Sequence, residues 1–311
     1  MIELTWVDKY NPECIGDMVL SAPIKEQMLD LVKSNKLSNM TFAGIQGIGK
    51  TTLATVLAKE LNAIVFFNPC GDKKSVDDVT GDMTTFCDSE TIDDRIKVVI
   101  LDEADQLSGG DRESSAQKSL KGLIERAQDD TRFILTCNHQ NQIFPAILSR
   151  CPIINIKYNG KDVMKRIKYI LDTEGVKYTK TSLKEFIDVV VKPNYPDIRK
   201  MINLLEPCCA SGELKLTSMV EHTTELEEFV VELLEEVRTN ADLNAIRRKV
   251  IQNTAIFNNN YTNLGSMIFN DVVQKSNDVK LLKNLTHFLY KMQQVSDPEI
   301  QLFGMLLEMK K

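Results

Sequence analysis

The sequence predicts an α/β domain built on a parallel sheet, followed by helical units. Three observations carry that prediction. Short apolar runs alternate with helix-patterned segments through the first half. A glycine-rich turn separates the first run from the first helix. Beyond about Tyr158 the strand pattern stops. Alternating strands and helices imply a doubly wound sheet, and parallel strands covered on both faces read as continuous apolar runs.

The elements follow in order. Phe42-Ala43 leads into the glycine-rich turn, and residues 51–61 read as a helix with Leu53, Val56, Leu57 and Leu61 on one side. Apolar runs at 64–67, 98–101, 133–137 and 153–156 read as further buried strands. Ala116, Leu120, Leu123, Ile124 and Ala127 recur at helical spacing between the third and fourth strands. Residues 161–172, 181–191 and 197–206 read as helices, with Pro193, Pro196 and Pro207 as breakers. From about residue 220 the pattern is helical throughout. Leu281, Leu282, Leu285, Phe288, Leu289 and Met292 form one stripe, which is expected to be core, and Asp297-Pro298 reads as an N-cap with proline at the first helical position.

Composition excludes several classes. The chain has 311 residues, with hydrophobic residues at 43% and charged residues at 26%, the make-up of a folded globular protein. There is no apolar run long enough to span a membrane, and the N-terminal residues lack a signal-peptide pattern. The seven cysteines are odd in number and contain no C-x-x-C pair, and the three histidines are scattered. That argues against a zinc site or a disulfide framework and for reduced thiols in a cytoplasmic location. The net charge is −6, from 38 Lys+Arg against 44 Asp+Glu. It is unevenly spread: residues 1–155 carry 16 against 23, and residues 156–311 carry 22 against 21. Such a total argues against a lone chain coating DNA, but not against a local basic surface.

Gly44-Ile45-Gln46-Gly47-Ile48-Gly49-Lys50-Thr51 fits the phosphate-loop pattern G-x-x-x-x-G-K-[ST]. Glycines let backbone N–H groups face phosphate oxygens, Lys50 reaches the β/γ-phosphates, and Thr51 binds Mg²⁺. The run ending in Asp102-Glu103 delivers carboxylates to the edge of the sheet where ligands bind. Asp102 is expected to hold Mg²⁺ and Glu103 to orient or activate the attacking water. Asn138, at the tip of the next strand, is either a partner of that water or of the γ-phosphate, or a turn residue.

Further motifs give the sequence a family likeness. Trp6-Val7-Asp8-Lys9-Tyr10-Asn11-Pro12 resembles the box that opens sliding-clamp loader subunits of the replication factor C type. Ser149-Arg150-Cys151 matches that family's arginine-finger tripeptide, Gln117 its central-helix glutamine, and Pro196-Asp197-Ile198-Arg199-Lys200 resembles its second sensor segment. Within the family the chain looks most like the large ATPase subunit of T-even-type bacteriophages. Two positions depart from the family pattern: Asn11 stands where arginine is usual, and Gln46 where proline often stands.

The resemblance implies an AAA+ P-loop ATPase domain at 1–157, a helical lid at 158–218 and a helical collar for oligomerisation at 219–311. It implies an ATPase using ATP and Mg²⁺ that opens a sliding clamp and loads it on primer–template DNA during DNA replication, as one subunit of a pentameric ring or spiral. Lys50, Thr51, Asp102, Glu103, Asn138 and Arg199 are then expected at the site in cis, with Gly47, Ile48, Gly49 and Thr52 around the phosphates. Val7, Tyr10 and Val19 are expected at the adenine, and Arg150 in a neighbour's site. An arginine finger of this kind is worth about 10³–10⁵ in rate. Gln117 is a candidate switch. Lys73, Lys74, Arg112, Ser114, Ser115 and Lys118 are candidates for DNA, and Met83 and Phe86 for the clamp. A P-loop kinase, a non-hydrolysing scaffold subunit and another AAA+ ATPase acting on DNA are the alternatives.

Overall fold

The computed structural model describes residues 4–71, 76–90, 95–107, 115–127, 130–216, 218–239, 242–254, 256–257, 260–276, 278–292, 295 and 298–309. Two compact units make up the chain, divided between Lys215 and Leu216.

The first unit begins with a short helix, α1 (Trp6–Lys9), capped by the Thr5 hydroxyl, which accepts from the Asp8 N–H. Next come α2 (Ala22–Ser34), β1 (Met40–Ala43), α3 (Lys50–Glu60), β2 (Ile64–Pro69), α4 (Val76–Asp88) and β3 (Lys97–Asp102). Then follow α5 (Ser115–Arg126), β4 (Thr131–Cys137), α6 (Pro145–Leu148) and β5 (Ile153–Asn155). The strands form one parallel sheet in the order β2-β3-β4-β1-β5. All of β1, nearly all of β4 and all of β3 but its last residue are buried, which is why they read as unbroken apolar runs. The 64–67 run does not behave as expected. As β2 it lies at the sheet edge and alternates, with Val65 41% and Phe67 44% exposed.

The order of strands in the sheet makes β1 and β4 neighbours, with Ala43 opposite Cys137, and β3 and β4 neighbours, with Leu101 opposite Leu135. The loop after β1, the acids ending β3 and the tip of β4 therefore share the carboxyl edge of the sheet, where doubly wound folds bind ligands.

The rest of this unit is helical: α7 (Gly160–Thr173), α8 (Lys180–Phe186), a π-helical turn at Ile187–Val191, α9 (Lys192–Asn194) and α10 (Ile198–Cys208). The 181–191 helix is thus interrupted. Pro207 lies inside the last turn of α10 rather than beyond it, so it ends the helix without bounding it. A single bridge, Lys177 to Glu213, is the only strand-like pairing here among the described residues.

The second unit consists of α11 (Ser218–Thr239), α12 (Leu243–Gln252), α13 (Tyr261–Lys275), α14 (Val279–Met292) and α15 (Pro298–Glu308). Leu285 and Met292 of the α14 stripe are fully buried, and Leu281, Leu282, Phe288 and Leu289 pack against the same core. Close approach is needed: a Cβ on Gly304 would meet the Phe288 ring at 2.6 Å. Among the described residues no helix is long and apolar enough to cross a membrane.

Candidate functional site: a phosphate loop beside two acid-bearing strands

The loop between β1 and α3 bends through Gly47 (φ 73°) and Gly49 (φ 98°), backbone conformations that favour glycine. Gly47 has a second constraint, since a Cβ there would stand 1.9 Å from Asp197 Oδ1. Asp197 caps α10 by accepting from the Lys200 N–H, and the Arg199 N–H points to Gly47 O at 3.4 Å. The helix that carries Arg199 therefore rests on the loop.

Lys50 is buried, at 7% exposure, and burial pulls its amine below the usual lysine range. Nζ donates to Gly44 O at 3.0 Å, Ile45 O at 2.8 Å and Asn138 Oδ1 at 2.7 Å. Asn138 is thereby brought to the phosphate lysine. Its own N–H and that of His139 are accepted by Asp105 Oδ2 at 3.2 and 2.9 Å. Asp105 is buried and fixes the strand tip.

The Thr51 hydroxyl donates to Asp102 Oδ1 at 2.5 Å, and the Thr136 hydroxyl donates to the same oxygen at 2.7 Å. Thr136 also accepts from the Glu103 N–H at 3.0 Å. One hydroxyl in the middle of the site thus orients both acids. Glu103 has φ 53°, uncommon for a residue with a side chain. Its Oε2 lies 3.3 Å from where a Cβ on Gly71, just past β2, would stand. A larger residue at 71 would crowd that carboxylate.

A cavity of about 350 Å³ adjoins the loop. Val7, Tyr10 and Val19 line it from the N-terminal segment, and Gly47, Ile48, Gly49, Thr51 and Thr52 from the loop and α3. Arg166 of α7 and Arg199 of α10 also line it. The N-terminal segment is fastened to the helices beyond the sheet. Tyr10 Oη donates to Glu174 at 2.5 Å, Lys9 pairs with Glu174 at 2.6 Å, Arg166 donates to Tyr10 O at 2.6 Å, and the Trp6 N–H donates to Glu206 at 3.0 Å. Burial and then the Glu174 contact push the Tyr10 phenol far above its ordinary value. Lys9, and secondarily Tyr10, hold Glu174 below the ordinary carboxylate range.

Arg150 lies away from this cluster, in the turn after α6. It donates to Ala146 O and Ser149 Oγ and pairs with Glu125 of α5. Gln117 is buried at 3% exposure and bridges α5 to the segment after β4. Its Nε2 donates to Gln142 O at 3.0 Å and its Oε1 accepts from the Phe144 N–H at 2.6 Å. Lys118 is exposed on α5. Lys73, Lys74, Arg112 and Ser114 lie outside the described residues, and Ser115 has only its helical backbone described.

The expectation for Met83 is overturned. It is 2% exposed, in the core between α4 and the sheet, and Phe86 is half-buried with its ring 5.5 Å from that of Phe66. The acidic neighbours mark the outer face of an amphipathic helix, and the apolar side chains mark its inner face.

Sequence reasoning missed Thr136, Asp105, Asp197 and Arg166. Thr136 left a faint signal, a hydroxyl inside an apolar strand two positions before Asn138. The other three act across the fold, where spacing along the chain is silent.

Residues 40–158 match the family described as "ATPase family associated with various cellular activities (AAA)". A replication factor C small subunit of Aeropyrum pernix is 31% identical over 226 residues, covering 70% of this chain and 67% of the relative. The chain belongs to the replication factor C small-subunit family. Another member, from Natronomonas pharaonis, is 33% identical over 214 residues, but there the match spans only 63% of the relative's length. The Thermotoga maritima RuvB Holliday junction branch migration motor shares the fold, with TM-score 0.55 at 17% identity, covering 78% of this chain and 85% of that one.

Proposed function

We propose that this chain is an ATPase subunit of a sliding-clamp loader, one that opens the processivity clamp and closes it on primer–template DNA during replication. One observation carries the reading. Lys50 and Thr51 of the phosphate loop are bonded to Asn138 and Asp102, the tips of two adjacent strands, with Glu103 fixed by the same threonine as Asp102. This arrangement suits hydrolysis rather than mere binding, because Glu103 serves no evident binding purpose.

The donor set fits Mg²⁺, a hard cation that takes one or two carboxylates together with substrate phosphates and waters. Thr51 and Asp102 would hold it, and it would neutralise charge on the β- and γ-phosphates. The chain's own groups do the rest. Lys50 exchanges its present oxygen partners for phosphate oxygens. Glu103 orients the attacking water. Arg199, carried on the helix that touches Gly47, bonds phosphate and draws the lid helices (158–218) toward the ATPase core. Arg150 serves a neighbouring subunit's site, where a planar delocalised cation meets spreading transition-state charge.

Subunits in a pentameric ring or spiral, joined through the collar helices, supply that neighbour. Primer–template DNA is held by helix N-termini and a few basic side chains, including Lys118. Asn11 and Gln46 support a place in a divergent branch of the family, and the free thiols support a cytoplasmic site of action.

The test is the steady-state ATPase rate of the assembled loader with and without primer–template DNA and cognate clamp. Stimulation by both is expected. ATP turnover that ignores both leaves an AAA ATPase and removes the clamp-loader reading.

A further inference from the structure

Both terminal nitrogens of Arg150 are engaged by its own chain. Nη1 donates to Ala146 O at 2.7 Å and to Ser149 Oγ at 3.2 Å, and Nη2 donates to Glu125 Oε1. The Arg150 and Glu125 side chains are 31% and 41% exposed, so the pair sits at the surface, where it can be made and broken without burying a charge. Glu125 lies near the end of α5, and near the start of that helix Gln117 bonds Gln142 O and the Phe144 N–H. One helix therefore grips the segment leading to Arg150 at both ends. The Gln117 grip is buried and the Glu125 grip is accessible.

We propose that Glu125 is a positioning residue that parks Arg150 on its own subunit until a neighbour's phosphate displaces it. The proposal rests on the role in trans assigned to Arg150 above. A guanidinium meets a phosphate through a fork of N–H donors. The carboxylate and the neighbour's phosphate compete for the same nitrogens, so Arg150 must leave Glu125 before it can act. The competition is mild: an exposed pair of this kind shifts such an equilibrium by up to about fivefold. That scale suits a restraint that subunit closure can overcome.

The experiment compares Glu125→Gln, Glu125→Asp and Arg150→Ala, and Glu125→Gln combined with Arg150→Ala, in the complete loader. ATPase kcat and KM are measured with and without primer–template DNA and clamp. Glu125→Gln is expected to raise the DNA-independent kcat about threefold with KM unchanged, and so to shrink the fold-stimulation by DNA. Glu125→Asp, which keeps the charge, is expected to fall back toward the parent rate. In the Arg150→Ala background Glu125→Gln is expected to change nothing. A DNA-independent kcat that stays level or drops in Glu125→Gln overturns the parking role, as does a rise that persists without Arg150. If Arg150→Ala alone leaves turnover intact, the finger assignment fails and the parking role falls with it. If Arg150→Ala abolishes turnover while Glu125→Gln is silent, only the parking role falls.

Discussion

At the scale of single residues, the phosphate site is organised by a hydroxyl. Thr136 bonds Asp102 and receives the Glu103 N–H, so Thr136→Val removes two bonds while keeping the shape. Leaving such groups unpaired costs about 1–3 kcal/mol, so the melting temperature is expected to fall by a few degrees and kcat to drop roughly tenfold to a hundredfold. A steady-state ATPase assay checks this, and an unaltered kcat would show that the acids orient themselves. A second residue-scale prediction concerns pH. Glu174 is held below its ordinary value of 4.5, first by Lys9 and then by Tyr10. A depressed carboxylate contributes stability above its unfolded pKa and loses it as pH falls through the folded one. The melting-temperature advantage of the parent chain over Glu174→Gln should therefore be constant near neutrality and shrink progressively as pH falls below 4.5. Lys50, Thr51, Asp102 and Glu103 were legible in the sequence because each sits in a contiguous motif. Thr136 was not, because its partners Asp102 and Glu103 come from another strand, and neither was the approach of Asp197 to Gly47, which joins segments 150 residues apart.

At the scale of elements, sequence pattern found the buried strands and misread their boundaries with solvent. β2 carries the same apolar run as the central strands, but only the order of strands, which no local pattern encodes, puts it at the edge. Helix α4 was invisible as an element for a related reason: its apolar face is narrow and its other residues are acidic, threonine or glycine. It is anchored by Lys97, the first residue of β3, at 1% exposure. Lys97 Nζ donates to Cys87 O and Ser89 O at 2.7 Å each and pairs with Asp130 at 2.8 Å. Lys97→Met keeps the bulk and leaves two carbonyls unpaired. A loss of about 2–4 kcal/mol in unfolding free energy is expected, read from denaturant melts. A loss well under 1 kcal/mol would mean that water replaces the amine.

At the scale of the whole molecule, the division at Lys215 separates a unit that contains the complete phosphate site from one that contains none of it. A chain ending at Lys215 is expected to fold cooperatively and bind ATP, yet to stay monomeric and hydrolyse it slowly. Light scattering with nucleotide titration tests this, and an oligomer of full activity would relieve the collar of its assembly role. The fastenings of the N-terminal segment carry a consequence for biosynthesis. Tyr10 reaches Glu174 across 164 residues, Arg166 reaches Tyr10 across 156, and the Trp6 N–H reaches Glu206 across 200. During translation residues 6–10 therefore wait for some of the last in this unit. A nascent chain that has not yet reached Glu206 already carries its whole phosphate loop, but the far side of the cavity is still inside the ribosome. Nucleotide can stabilise this protein only after most of the unit has been made, so early folding relies on the sheet alone.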